Sequence, residues 1–169
     1  AQVTAFGTAT KPELSGSAQV AIGGGDAPAL EALYDVLNTP PAVRNWFSAW
    51  APAELDLELG APSGEGGQTL MVSGRAAAAA IKATADTGAG SSSALSGRIK
   101  LRVDVNSDTP AALTAQLGLG SVSLTPEDEP MQAVLVLSGT AANSFETTLR
   151  VNGGGESLAF AGNVVSNDL

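Results

Sequence analysis

Charged and apolar residues alternate along the stretch Arg98-Ile99-Lys100-Leu101-Arg102-Val103-Asp104-Val105. Successive side chains of a β-strand point to opposite faces of a sheet, so this pattern predicts a strand with one apolar face and one solvated face. The same alternation recurs in Leu55-Asp56-Leu57-Glu58-Leu59 and in Phe145-Glu146-Thr147-Thr148-Leu149-Arg150-Val151. The central question is therefore what covers the apolar face of a long run of strands: a second sheet, a helix or a ligand.

Alternating segments follow one another along most of the chain, with turn-forming residues between them. We predict strands at Val3–Thr10, Leu14–Ile22, Glu54–Gly60, Gln68–Arg75, Ala77–Thr87, Leu95–Val105, Ala112–Leu124, Met131–Gly139, Asn143–Asn152 and Ser157–Val165. A shift of the apolar phase predicts a bulge near Gly120. The later strands follow each other at hairpin spacing with no helices between them, which predicts antiparallel pairing.

Residues 26–50 interrupt the strand pattern with two short amphipathic helices. Asp26 is a suitable N-cap residue, and apolar residues then recur at helical spacing as far as Leu37. The second helix carries three aromatic side chains on one side, which are Trp46, Phe47 and Trp50. Such a stripe packs against a sheet in most proteins, and the alternative is a plug at a ligand-lined opening.

These elements predict a mainly β fold: a curved, groove-like antiparallel β-meander with one or two short amphipathic helices packed on its apolar face. The chain forms either a single β-rich domain over residues 1–169 or a segment of a longer repetitive protein, with a helical insert over residues 26–50. The chain begins without Met or a signal peptide, and a strand pattern is already under way at Val3. We interpret it as a piece of a longer protein whose other segments carry the targeting signal and any anchor.

Composition excludes several classes of function. The net charge of −9 argues against nucleic-acid binding and against electrostatic docking on anionic lipid headgroups. The chain has no His and no Cys, which removes the commonest general base and the best transition-metal ligands. Arg98, Lys100 and Arg102 form a basic stripe, which we expect to pair with acids on neighbouring strands; the alternative is a headgroup contact.

The remaining motifs point away from catalysis. The chain has no His that could activate one of its many serines, and it has no Ser-x-x-Lys motif. Its glycine clusters lack the Lys-Ser/Thr ending of a phosphate-binding loop. The segment from Asp104 resembles the start of a calcium loop, but Thr109 replaces the required Gly and Ala115 the required Glu. We therefore predict no catalytic residue, no metal site and no cofactor, and we expect that the protein is not an enzyme.

Several short segments of the chain resemble sequences of the AsmA-like family of bacterial envelope proteins and its TamB-type relatives. They include Leu14-Ser15-Gly16-Ser17-Ala18-Gln19-Val20, Asp26-Ala27-Pro28-Ala29-Leu30-Glu31-Ala32-Leu33 and Leu95-Ser96-Gly97-Arg98-Ile99-Lys100-Leu101. The resemblance implies a long curved sheet with an apolar groove, anchored to the inner membrane and lying in the periplasm. It also implies a part in phospholipid transfer and outer-membrane homeostasis.

An apolar strand face suits a phospholipid or another acyl-chain ligand, because lipid tails need a continuous apolar lining and no directed polar contacts. The lipid-facing candidates are Leu55, Leu57, Leu59, Ile81, Ile99, Leu101, Val103, Leu113, Leu117, Leu135, Leu137, Leu149, Val151 and Phe160. The same residues would also suit the closed core of a ligand-free structural or interaction β-sandwich in a secreted, surface or virion protein. Patterning alone leaves both interpretations open. Any membrane association is expected to come from segments outside this chain.

Overall fold

The computed structural model describes residues 2–8, 11–23, 50–61, 67–88, 97–116, 129–140, 144–153 and 155–165. Within these residues nine strands form one open antiparallel sheet, and their order in the sheet follows their order in the sequence. The strands are β1 Gln2–Thr8, β2 Lys11–Ile22, β3 Ala53–Leu59, β4 Gln68–Ala76, β5 Ala79–Thr87, β6 Arg98–Ser107, β7 Met131–Thr140, β8 Ser144–Gly153 and β9 Glu156–Val165. The predicted mainly β antiparallel meander is confirmed, and the strands of the described residues form one sheet rather than the two sheets of a sandwich.

The register aligns the apolar residues of neighbouring strands on one face of the sheet. Val103 of β6 is in register with Ala83 of β5 and with Leu135 of β7, and residues in register share a face. We call this side the apolar face. One of its rows, from β2 to β9, contains Ala18, Leu57, Val72, Ala83, Val103, Leu135, Leu149 and Phe160. The opposite side is the polar face, where a row contains Ser17, Glu58, Met71, Thr84, Arg102, Val136, Thr148 and Ala161.

A short helix, α1, spans Pro110–Gln116 between β6 and β7, so the predicted strand at Ala112–Leu124 is wrong where it begins. Pro110 has no N–H to satisfy and suits the first helical position. The carbonyl of Thr109 accepts hydrogen bonds from the backbone N–H groups of Ala112 (3.1 Å) and Leu113 (3.2 Å), which starts the helix. The rest of that predicted strand, with the expected bulge near Gly120, lies outside the described residues.

Helix α1 packs over one end of the apolar face. The buried residues there form the core cluster, which consists of Ala79, Val105, Leu113, Met131, Ala133 and Val151. Leu113 is 0% exposed and Met131 is 1% exposed. Trp50 packs against the same cluster and is itself partly buried. Of the helices predicted between residues 26 and 50, only this residue lies within the described part of the chain.

The opposite end of the apolar face carries a buried amide. Gln68, at the start of β4, is 3% exposed. Its Nε2 donates hydrogen bonds to the carbonyl oxygen of Gly60 (2.8 Å), just after β3, and to that of Leu14 on β2. Thr87 of β5 donates its hydroxyl to the Gln68 carbonyl at 3.1 Å. One side chain and its backbone therefore join four neighbouring chain segments, β2 to β5, at this end.

Gly74 of β4 lies between Leu55 and Ile81 on the apolar face, where the strands approach closely. Its φ is +151°, which L-residues rarely adopt, and a Cβ there would clash with the carbonyl oxygen of Glu54. We expect Gly74→Ala to lower the free energy of unfolding by at least about 1–3 kcal/mol, the usual cost of a strained backbone conformation. Urea unfolding followed by circular dichroism measures this loss.

Gly60→Ala is the matched control for this substitution. The nearest atom to a Cβ at Gly60 is the carbonyl oxygen of Thr69 at 3.5 Å, an ordinary contact. Equal stability of the two variants would contradict the close approach of β3 and β4 at Gly74.

Candidate functional site

The lipid-facing candidates that lie on described strands share the apolar face. These are Leu55, Leu57, Leu59, Ile81, Ile99, Leu101, Val103, Leu135, Leu137, Leu149, Val151 and Phe160. The prediction of Leu113 as a lipid-facing strand residue is wrong. Leu113 belongs to α1, and it is fully buried in the core cluster. Leu117, Trp46 and Phe47 lie outside the described residues.

A second row of the apolar face differs from the core cluster in its exposure. We call it the leucine row, and it consists of Leu59, Leu70, Ala85, Leu101 and Leu137 from β3 to β7. Every member is partly exposed, whereas Val105 in the core cluster is 6% exposed. Leu101 and Val105 are four residues apart on β6, which is about 14 Å along a strand. The apolar face therefore changes from buried to partly accessible along the length of the strands.

Exposure of the apolar face also rises sharply from β8 to β9. Val151 of β8 is 3% exposed, but its register partner Leu158 on β9 is 53% exposed. Phe160 is 58% exposed and Val164 is 55% exposed. The apolar face is therefore least covered along β9, the last strand of the sheet.

The polar face is concave across β2 to β5. A cavity of 510 Å³ there is lined by side chains that include Gln19, Asp56, Glu58, Lys82 and Thr84. Gln19 donates a hydrogen bond from Nε2 to Oδ1 of Asp56 at 2.9 Å. Most of the side chains around this cavity are polar or charged, and it lies on the side of the sheet opposite to the leucine row.

The basic stripe of β6 lies on the polar face. Arg102 makes a two-bond contact with Asp104 of its own strand, with Nε–Oδ2 and Nη2–Oδ1 distances of 2.7 Å each. This hydrogen bonding and the carboxylate charge raise the pKa of the Arg102 guanidinium. We expected Arg102 to pair with an acid on a neighbouring strand, but this contact is to an acid on its own strand. Arg98 does donate a hydrogen bond across strands, to the hydroxyl Oγ of Ser138 at 3.4 Å. Exposed contacts of this kind contribute little stability and keep the polar face solvated.

The described part of the chain has neither a cluster of metal-binding side chains nor a membrane-spanning helix. No three acidic side chains converge there as a metal site would require. None of the helices in the same residues has the length and hydrophobicity needed to cross a membrane.

The chain matches no protein-family model, and no curated protein or solved structure is significantly similar to it. The likeness to AsmA-like proteins thus rests on the sequence phrases quoted above. The apolar face remains the strongest candidate site, because it is extensive, continuous in register and accessible in part.

Sequence reasoning missed α1, although a signal for it was present. Thr109-Pro110 combines a favoured N-cap residue with a favoured first helical residue, directly before an Ala-rich segment. The predicted strand at Ala112–Leu124 disregards this signal. The apolar residue that follows, Leu113, belongs to the packing core for that reason and is not part of an accessible lining.

The difference in burial between Leu113 and Leu101 predicts a difference in stability. Leu113→Ala should cost about 2–5 kcal/mol, the range for a buried leucine, because it leaves a cavity between α1 and the sheet. Leu101→Ala should cost less than about 2 kcal/mol, since this partly exposed side chain leaves no enclosed cavity. Urea unfolding of both variants tests this order, and equal large losses would mean that the leucine row is also closed.

Proposed function

We propose that this chain binds acyl chains of phospholipids on its apolar face, as a β-sheet segment of an AsmA-like envelope protein that takes part in phospholipid transfer. The observation that supports the proposal best is the leucine row. It runs without a polar interruption from Leu59 on β3 to Leu137 on β7, and all its members are partly exposed.

The energetics of tail binding fit such a surface. Each methylene that moves from water into an apolar environment contributes about 0.8 kcal/mol to binding, and no directed hydrogen bond is needed. Nine strands at a spacing of about 4.8 Å give a sheet about 40 Å wide. A tail lying across the strands along the leucine row would contact Leu70, Leu101 and their neighbours in succession.

The polar face would keep the sheet hydrated while a lipid tail is bound on the other side. Asp56, Glu58, Lys82, Lys100 and Arg102 are exposed on it, so the opposite side of the sheet remains hydrated while the apolar side holds a tail. The sheet would act by solvation alone, with no cofactor and no catalytic step. Under this proposal the protein lies in the periplasm and is anchored to the inner membrane through segments outside this chain.

A second candidate function is a ligand-free interaction domain of a secreted or surface protein. It is favoured by Leu158, Phe160 and Val164, which are each more than half exposed at the edge of the sheet. Exposed apolar side chains that cluster in this way commonly mark contacts with another protein. Under this alternative the apolar face would carry no lipid.

Organic extraction of the purified protein, followed by mass spectrometry, separates the two functions. We expect phospholipid to co-purify with the wild-type chain and to be absent from Leu101→Asp. A carboxylate in the leucine row remains partly hydrated, so the variant should fold, but it repels an apolar tail. A repeatedly clean extract from the wild-type chain would contradict the proposal and favour the interaction domain.

Asn106→Asp provides the matched control. Asn106 is an exposed residue of the same strand on the polar face, so this variant adds the same charge on the other side of the sheet. It should fold and retain lipid. Failure of Leu101→Asp to fold would show that Leu101 belongs to a closed core, where an unpaired charge costs several kcal/mol.

A further inference from the structure

The last strand of the sheet, β9, has an unusually exposed edge. Within the described residues it pairs with β8 alone. Natural edge strands are commonly protected by Lys, Pro, bulges or short length. β9 is ten residues long, its only charged residue is Glu156 at its start, and it contains no Pro. Its apolar-face side chains Leu158, Phe160 and Val164 are 53%, 58% and 55% exposed.

This edge is suited to pairing with an identical edge. A twofold axis perpendicular to the sheet reverses the strand direction and keeps both apolar faces on the same side, so the pairing is antiparallel and closed. Residues directly opposite each other must share a face, and a one-residue slip would place Phe160 among polar-face residues. Within the central part of the strand, the residue that lies directly opposite its own copy at the axis must therefore be Phe160 or Ala161.

The side chains distinguish the two registers. An axis at Phe160 places the two Phe160 rings directly opposite each other and Val164 opposite Glu156. An axis at Ala161 places Phe160 opposite Gly162 and Leu158 opposite Val164, so that a large side chain meets a small one and apolar meets apolar. Phe160 already leans towards Gly162 of its own strand, since a Cβ on this glycine would lie 3.2 Å from its ring.

We propose that β9 pairs with β9 of a second copy of this chain, in antiparallel register about Ala161. The dimer joins two nine-stranded sheets into one and continues the apolar rows from copy to copy. It gives Leu158, Phe160 and Val164 apolar-face neighbours on a second strand and pairs the outer backbone groups of β9. The proposal does not depend on lipid binding.

The absence of Cys from the sequence allows a direct test of the register. Ala161 is exposed on the polar face and lies opposite itself in the dimer. Antiparallel partners have Cα atoms about 4.5–5.5 Å apart, within the range that a disulfide spans. We expect Ala161→Cys to form a covalent dimer in most of the protein under mild oxidation. The measurement is non-reducing gel electrophoresis.

Ala159→Cys is the matched control, because the thiols introduced at position 159 lie opposite Asn163 of the other copy. They would be about 14 Å apart, too far for a disulfide. This variant should remain without a covalent link. Equal cross-linking of the two variants would show random collision and overturn the register.

Sedimentation equilibrium tests the dimer itself. The wild-type chain should show a dimer mass, and Phe160→Lys should weaken association at least about tenfold, because an inward-pointing charge at an edge opposes strand pairing. Leu14→Lys controls for a charge on another exposed apolar side chain, since Leu14 on β2 is 43% exposed, and it should leave the dimer intact. A monomer at all concentrations would overturn the proposal. Open-ended growth would overturn it too, and would indicate addition of β1 of one copy to β9 of the next.

Discussion

The structure depends on one constraint, the register between strands that each alternate apolar and polar residues. A slip of one residue at any pair would move the apolar side chains of the following strands to the opposite face. The register from β2 to β9 avoids this, and Leu57, Val103 and Leu135 belong to one row although their strands are joined by very different connections. From β2 to β9 the sheet therefore has two chemically distinct faces.

The two ends of the apolar face are held by different interactions. At one end α1 inserts Leu113 against Val105 and Met131, which produces a dry core cluster. At the other end the Gln68 amide joins backbone carbonyls near β2 and β3. Between them lies the leucine row, which is neither enclosed like the core cluster nor fully solvated. This intermediate environment is the physical basis for proposing an apolar ligand there.

The sequence was a good guide to the strands and to their faces, because both follow from a period of two residues. It was a poor guide at residues 110–116, where Leu113 and its small neighbours fit either a strand or a short helix. Pro110 suits the first helical position, and the carbonyl of Thr109 accepts the hydrogen bonds that start the helix, so the helix forms there. Exposure could not be predicted at all. Val151 and Leu158 are both apolar residues in alternating segments, yet they are 3% and 53% exposed, because Val151 packs in the core cluster and Leu158 lies on β9, which pairs with β8 alone within the described residues.

The apolar face is closed at one end and accessible along the leucine row, where we propose that it binds acyl chains. The most direct test is the rate of thiol labelling of Leu137→Cys and Met131→Cys, two apolar-face positions on β7, with and without phospholipid vesicles. Leu137 is partly exposed and Met131 is 1% exposed. The account predicts fast labelling at position 137 that phospholipid slows, and slow labelling at position 131 in both conditions. Equally slow labelling at both positions, or labelling at position 137 that phospholipid leaves unchanged, would contradict it.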